Sequence, residues 1–288
     1  MGKVNWMKRV LLAGAIAILT SGAAIAADLP SRKEPPAYIP PPPLLTWAGF
    51  YVGLNAGYTW GESDHVNVGS FPVLGPPAGI LALGATGVAP VKNDGFIGGG
   101  QVGYNWQFGE RFVAGLEADI QGVANSGGAG NAASLVVAIP GVPVVTDIAA
   151  TKSLDYLGTV RGRLGYLVTP TLLAYGTGGL AYGGVGASTA ISQLGANGFS
   201  GFGASSFADT RVGWAAGGGL EWMFSPNWSA KAEYQYYDLG GVSHSSPLIA
   251  PPAVVYAVSQ SATRFDGHVV RAGVNYHFNW AAPIVSKY

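Results

Sequence analysis

The dominant pattern along the chain is a period of two. From Gly49, the residues Phe50, Val52, Leu54, Ala56, Tyr58 and Trp60 are apolar or aromatic, and Tyr51, Gly53, Asn55, Gly57 and Thr59 between them are small or polar. Strand side chains point alternately to two faces, so this run predicts a strand with one apolar face and one polar face. The alternation recurs. Near 96–108, Val102, Tyr104, Trp106 and Phe108 oppose Gln101, Gly103, Asn105 and Gln107. Near 112–121, Phe112, Ala114, Leu116, Ala118 and Ile120 oppose Glu117, Asp119 and Gln121. Near 154–166, Leu154, Tyr156, Val160, Leu164 and Tyr166 oppose Asp155, Thr159, Arg161 and Arg163. A Gly-rich strand is predicted over 172–183. Near 211–224, Val212, Trp214, Leu220, Trp222 and Phe224 oppose Arg211, Glu221 and Met223. Near 228–237, Trp228, Ala232, Tyr234 and Tyr236 oppose Ser229, Lys231, Glu233 and Gln235. Last, Val270, Val274, Tyr276 and Phe278 oppose Arg271, Asn275 and His277.

These runs predict eight strands. Three connections are short, at 108–111, 168–171 and 225–227, and Thr169-Pro170 and Pro226-Asn227 supply turn chemistry. Four are long and rich in Gly, Ala, Ser and Pro: 61–92, 124–151, 188–207 and 241–264. They are expected to be loops. Short turns on one side and long loops on the other describe an outer-membrane barrel. The expected fold class is all-β, an eight-stranded antiparallel transmembrane β-barrel.

Alternation alone does not say which face meets lipid; the charges do. The polar face carries Glu117, Asp119, Arg161, Arg163, Glu221, Lys231, Glu233 and Arg271, matched in sign. A confined lumen needs such matching, because an unpaired buried charge is costly. These eight residues are the expected lumen charge network. Phe50, Tyr58, Trp60, Trp106, Phe108, Trp222, Phe224, Trp228 and Phe278 lie toward the ends of the apolar faces and are the expected aromatic girdle.

Composition fits this reading. Of 288 residues, 45 are Gly, 10% are charged and none is Cys. Gly is roughly double its ordinary usage of about 7%. Eight strands make a narrow barrel whose interior side chains just fill it. Strand glycines (Gly98, Gly99, Gly103, Gly176, Gly178, Gly217, Gly218 and Gly219) are expected to relieve bending strain and to make room for long Arg and Glu side chains. The absence of Cys excludes a disulfide framework and a thiolate metal site.

The N-terminus carries Lys3, Lys8 and Arg9, then an apolar run from Val10 to Leu19, then Ala24-Ile25-Ala26. This order predicts a signal peptide over 1–26. Without it the chain has 12 basic and 15 acidic residues, a net charge of −3, and no basic stripe for nucleic acid. Seven Pro between Pro30 and Pro43 predict an extended periplasmic tether over 27–46. The barrel is expected over 47–280 and a short C-terminal extension over 281–288.

Several segments together resemble a known family. They are Trp47-Ala48-Gly49-Phe50-Tyr51-Val52-Gly53-Leu54-Asn55-Ala56-Gly57-Tyr58, Gly115-Leu116-Glu117-Ala118-Asp119-Ile120, Val160-Arg161-Gly162-Arg163-Leu164-Gly165-Tyr166, Tyr175-Gly176-Thr177-Gly178-Gly179-Leu180-Ala181-Tyr182-Gly183, Gly213-Trp214 and Lys231-Ala232-Glu233-Tyr234. The set resembles the small alphaproteobacterial outer-membrane proteins, the 25/31-kDa surface-antigen family with an OmpA-like barrel. The resemblance covers about residues 44–280. It implies a porin-like envelope protein with structural and surface-interaction roles and no catalytic residues. It departs from the usual barrel ending, because Phe278 and Trp280 are followed by further residues up to Tyr288.

Other chemistry is weakly supported. No pair among His65, His244, His268 and His277 has metal-ligand spacing. Gly176-x-Gly178-x-x-Ala181 lacks the strand-turn-helix context of a nucleotide loop. Glu117 and Asp119 could form a glycosidase-like pair, but Arg161 and Arg163 are ready ion partners. No catalytic residue, cofactor or metal is expected. The expected partners are outer-membrane lipid and lipopolysaccharide, the barrel-assembly machinery, and a surface ligand at the loops. The expected function is structural, supporting envelope integrity and surface interaction with little or no open pore. The alternatives are a small-solute porin, or an adhesin or receptor acting through its outer loops.

Overall fold

The computed structural model describes residues 46–124, 127–139 and 142–278. The expected signal peptide, the tether up to residue 45, Trp280 and the 281–288 extension lie outside the described residues. The described residues form one antiparallel sheet with a single short helix. Its strands are β1 (Gly49–Gly61), β2 (His65–Pro72), β3 (Gly87–Pro90), β4 (Gly95–Phe108), β5 (Phe112–Ala124), β6 (Gly128–Ile139), β7 (Val142–Thr169), β8 (Leu172–Gly195), β9 (Ser200–Ser225), β10 (Trp228–Ala250) and β11 (Val254–His277). Helix α1 (Pro76–Gly84) lies between β2 and β3.

The expected count of eight is therefore corrected: the sheet has 11 strands. The pairings run β1-β4-β5-β7-β8-β9-β10-β11, and β11 pairs back to β1 from Tyr51↔His277 to Gly61↔Gly267. This circuit contains the eight segments expected as strands, with one facing corrected: a register shift between Leu154 and Tyr156 turns Leu154 inward and Asp155 outward. The other three strands arise where loops were expected. β7 to β11 are 23 to 28 residues long and continue well past the ends of β1, β4 and β5. Their extensions form an upper storey, the crown. There β2 pairs with β11, β3 with β2, and β6 with β7. The free edges of β3 and β6 come together at Gly128 and Gly130. A Cβ at either would collide with the carbonyl oxygens of Lys92 and Pro90, so only glycine permits this approach.

The outer wall reads in bands. On β1 the outward residues run from Phe50 through Val52, Leu54 and Ala56 to Tyr58 and Trp60. Ten residues at roughly 3.3 Å each, tilted by about 40°, span roughly 25 Å, the height of the apolar band of an outer-membrane barrel. Above it the wall turns polar, as on β7, where Asp147, Thr151, Ser153 and Asp155 face out.

The interior is layered. At the end with short turns, Trp47, Val113, Leu167, Leu173, Tyr175 and Met223 form an apolar floor. The ionic side chains lie above it. Next comes an apolar layer including Ile97, Leu157, Ala181, Tyr237, Phe265 and Val269. Highest is the crown core, where Leu81 and Ala82 of α1 pack among Val66, Val144, Ile148 and Leu248. Pro76 and Pro77 start the helix, where their missing N–H groups cost nothing and their fixed φ suits the first turn. Gln193 Nε2 donates to Leu81 O at 2.7 Å and anchors α1 inside the crown.

Candidate functional site

The barrel interior is the site the sequence points to. All eight expected charges lie inside it and are buried. They form two groups. In the first, Arg161 on β7 reaches Glu117 at 2.8 Å, Asp119 at 3.0 Å and Glu233 at 2.8 Å. Its remaining donors go to Thr159 Oγ1 and Thr177 Oγ1, which completes the five N–H groups of a guanidinium. Arg271 bridges Glu233 at 2.7 Å and Asp119 at 3.0 Å. Lys231 sits 3.0 Å from Glu117 and 3.6 Å from Glu233. Three carboxylates thus face three cations. Tyr51 and Tyr175 donate to Glu117 at 2.7 Å and to Glu233 at 2.9 Å. The Tyr51 ring lies across Gly103, where a Cβ would strike it. That glycine makes room for the phenol to reach Glu117.

The second group lies nearer the floor. Arg163 pairs with Glu221 and stacks 3.7 Å from the centre of the Tyr175 ring. Ser229 and Asn275 also donate to Glu221, and Ser229 Oγ lies 2.8 Å from His277 Nε2. Ser229, His277 and Glu221 superficially resemble a nucleophile, base and orienter. A working triad needs the carboxylate on one imidazole nitrogen and the hydroxyl on the other. Here Glu221 lies 3.4 Å from the same Nε2 that faces Ser229, and all three are buried.

The strand register explains the first group. β5 and β7 place Glu117 opposite Arg161 and Asp119 opposite Thr159. β10 and β11 place Glu233 opposite Arg271. Each pair is a cross-strand neighbour on the inward face; alternation within each strand gives the face, and the register gives the partner.

The expected girdle residues divide into two belts. Phe50, Trp106, Phe108, Trp222, Phe224, Trp228 and Phe278 lie near the short turns and are exposed. Tyr58 and Trp60 lie at the upper end of the band, where Trp60 stacks on His268 with ring centres 5.5 Å apart. Phe112, Tyr166 and Tyr276 join the lower belt, and Phe96, Tyr156, Trp214 and Tyr234 the upper one.

Two interior features carry no alternation signal. Trp47 precedes β1, yet it is 1% exposed and closes the floor. Its backbone N–H donates to Gln107 Oε1 at 3.1 Å and its indole to Pro170 O at 3.1 Å. Lys152 lies above the upper belt, between the expected 124–151 loop and the strand expected near 154–166. Its ammonium donates to the carbonyls of Ser63 and Arg264 and lies 4.8 Å from the centre of the Phe265 ring. Burial pushes it down from the usual lysine range to about 8, against the opposing pull of Asp266 and Asp64. Burial also lowers His244, which lies 3.3 Å from Thr189 Oγ1. Among the described residues, no group of three or more His, Cys, Asp or Glu could hold a metal ion.

Comparison with known proteins agrees with this architecture. The family model for the outer membrane protein beta-barrel domain matches residues 38–278. The 31 kDa outer-membrane immunogenic protein of Brucella melitensis is 35% identical over 273 residues, covering 94% of this chain and 100% of the relative. The 22 kDa outer membrane protein of Rhizobium leguminosarum is 29% identical over 203 residues, covering 69% of this chain and 67% of the relative. Among solved structures, OprG of Pseudomonas aeruginosa matches with a TM-score of 0.39 at 14% identity, over 80% of this chain and 96% of that one. The chain belongs to the outer membrane protein beta-barrel family, among relatives of the Brucella outer-membrane immunogenic proteins.

Proposed function

We propose that the protein is a non-enzymatic structural barrel of the outer membrane, with a lumen closed to solutes and a crown held outside the cell. The observation that carries this reading is the stacking of floor, ion network, apolar layer and helix-capped crown core along one narrow interior. A solute would have to pass three apolar layers and a network in which Arg161 has no free donor. Charge matching within the network offsets the cost of burying ions in a water-poor interior. The orientation follows from the usual placement of short turns in the periplasm and long connections outside. Lipid would contact the apolar band and lipopolysaccharide the polar wall above it. The assembly machinery would handle the chain before insertion.

Planar-bilayer recording of the folded protein tests the closed lumen. The expected trace shows no steady conductance to small ions. Stable steps proportional to protein inserted would make it a porin. Folding is checked separately by gel mobility, which should differ between boiled and unboiled samples.

A second reading, surface interaction, has its own support. The outward wall of the crown exposes large apolar side chains to water, which a purely structural barrel does not need. Its test is the cross-linking experiment described next.

A further inference from the structure

A barrel crossing one membrane needs one apolar band, and this wall carries a second. On β7, Val145 faces outward 11 residues before Tyr156 of the upper belt. At roughly 3.3 Å per residue and a tilt of about 40°, it lies roughly 28 Å above that belt. The polar wall separates the two bands. The strand register places Val145 directly beside Leu135 on β6 and Leu194 on β8. Phe202 on β9 is paired with Ile249 on β10, and Val258 on β11 with Phe71 on β2. These side chains, on β2 and β6 to β11, make an interrupted ring, in which the register puts Ser200 beside Leu194 and Ser192 beside Phe202. The Leu135, Val145 and Leu194 sector is its most exposed part, at 66%, 53% and 64%.

Two properties select the occupant. First, the crown segments 66–91, 120–146, 186–208 and 241–263 contain no Asp, Glu, Lys or Arg. The ring therefore lacks the basic residues that draw a surface to anionic lipid, and the acidic group beside its centre is Asp147, two residues from Val145 on the same outward face, where the polar wall begins. Second, these are wall residues, so their side chains project sideways, parallel to the membrane, rather than upward toward another cell. The bilayer holds every copy at the same height. An apolar ring facing sideways at that height meets its match on a neighbouring copy.

We propose that the crown ring is a lateral self-association surface, through which copies of this chain pack side by side above the outer membrane, with the Leu135–Val145–Leu194 sector at its centre. This rests on the outward orientation of the crown proposed above.

The native chain has no Cys, so single thiols report cleanly. Val145→Cys places one in the ring. Thr151→Cys places one on the same face of the same strand, in the polar wall. Intact cells expressing each full-length variant would be treated with a short, membrane-impermeant bis-thiol cross-linker. Heat-modifiable mobility would confirm that each variant is folded. The expected result is at least tenfold more homodimer from Val145→Cys than from Thr151→Cys. Adding Leu135→Ser and Leu194→Ser to Val145→Cys should remove that excess. Equal dimer yields from the two positions would overturn the proposal, as would adducts whose mass fits a different protein. A ring thiol that an impermeant maleimide cannot label from outside would overturn the orientation itself. Labelling without cross-linking would overturn self-association alone.

Discussion

Replacing Arg161 by Met probes the lumen where its electrostatics are most concentrated. The side chain makes three ion pairs and five hydrogen bonds while almost fully buried. In its group, Glu117, Asp119 and Glu233 balance Arg161, Lys231 and Arg271. Met has similar reach but no charge, so one negative charge is left without a partner. Breaking a buried pair in this way costs about 3–5 kcal/mol. Arg161→Lys keeps the charge but has three donors instead of five. The two hydrogen bonds lost, each made by a charged group and worth about 1.5–3 kcal/mol, should cost about 3–6 kcal/mol. Adding Asp119→Asn to Arg161→Met restores neutrality and should recover at least about 1.5 kcal/mol relative to the sum of the single variants. The assay is denaturant unfolding of protein folded into lipid vesicles, followed by Trp fluorescence and heat-modifiable mobility. An Arg161→Met cost under about 1 kcal/mol would mean that water screens the lumen charges, and the closed-lumen argument would fail. Arg264 is the internal control. It also makes two ion pairs, to Asp238 and Asp266, but its side chain is 55% exposed. Water screens such pairs, so Arg264→Met should leave the unfolding midpoint unchanged.

Three other outcomes are expected. Leu116→Arg puts a charge on the lipid-facing wall near mid-band and should cost about 2–4 kcal/mol, whereas Thr151→Arg on the polar wall should be neutral; the reverse order in the same unfolding assay would invert the inside-outside assignment. Trp47→Ala should destabilise by about 3–5 kcal/mol, as for a large buried aromatic, yet give no conductance in planar bilayers, because the ion network and two apolar layers still fill the interior. Lys152 titrates near 8 when folded and near 10.4 in an unfolded chain, so between these values the unfolded state holds more protons and stability rises with pH; wild-type unfolding midpoints should climb from pH 8 to 9.5, and a Lys152→Met variant that climbed equally would show that another group is responsible.

What the sequence reveals about this fold depends on what lies outside the wall. Where the wall meets lipid, the outward residue must be apolar and the inward one is free to be charged, so Leu116 beside Glu117, or Leu164 beside Arg163, gives a sharp alternation. The eight strands of the closed circuit and the eight lumen charges are readable for this reason. Above the bilayer the contrast fades. The stretch Gly186-Ala187-Ser188-Thr189-Ala190-Ile191-Ser192 of β8 still alternates in burial, but apart from Ile191 with small side chains on both faces. The outside is now water, which accepts Ser, Ala or Gly, and the inside is a crown already filled by α1. The result reads as low-complexity loop although it is paired strand on both sides. Trp47 is hidden for another reason: it acts before any strand begins, and no periodicity reaches it. The crown ring falls between these cases. Leu135, Val145, Leu194 and Phe202 are apolar on the wrong face for a wall in water, and they look like noise in a loop until the strand register brings them side by side. Apolar residues on a water-facing wall are uninformative singly; aligned across neighbouring strands at one height, they mark a surface built to meet another.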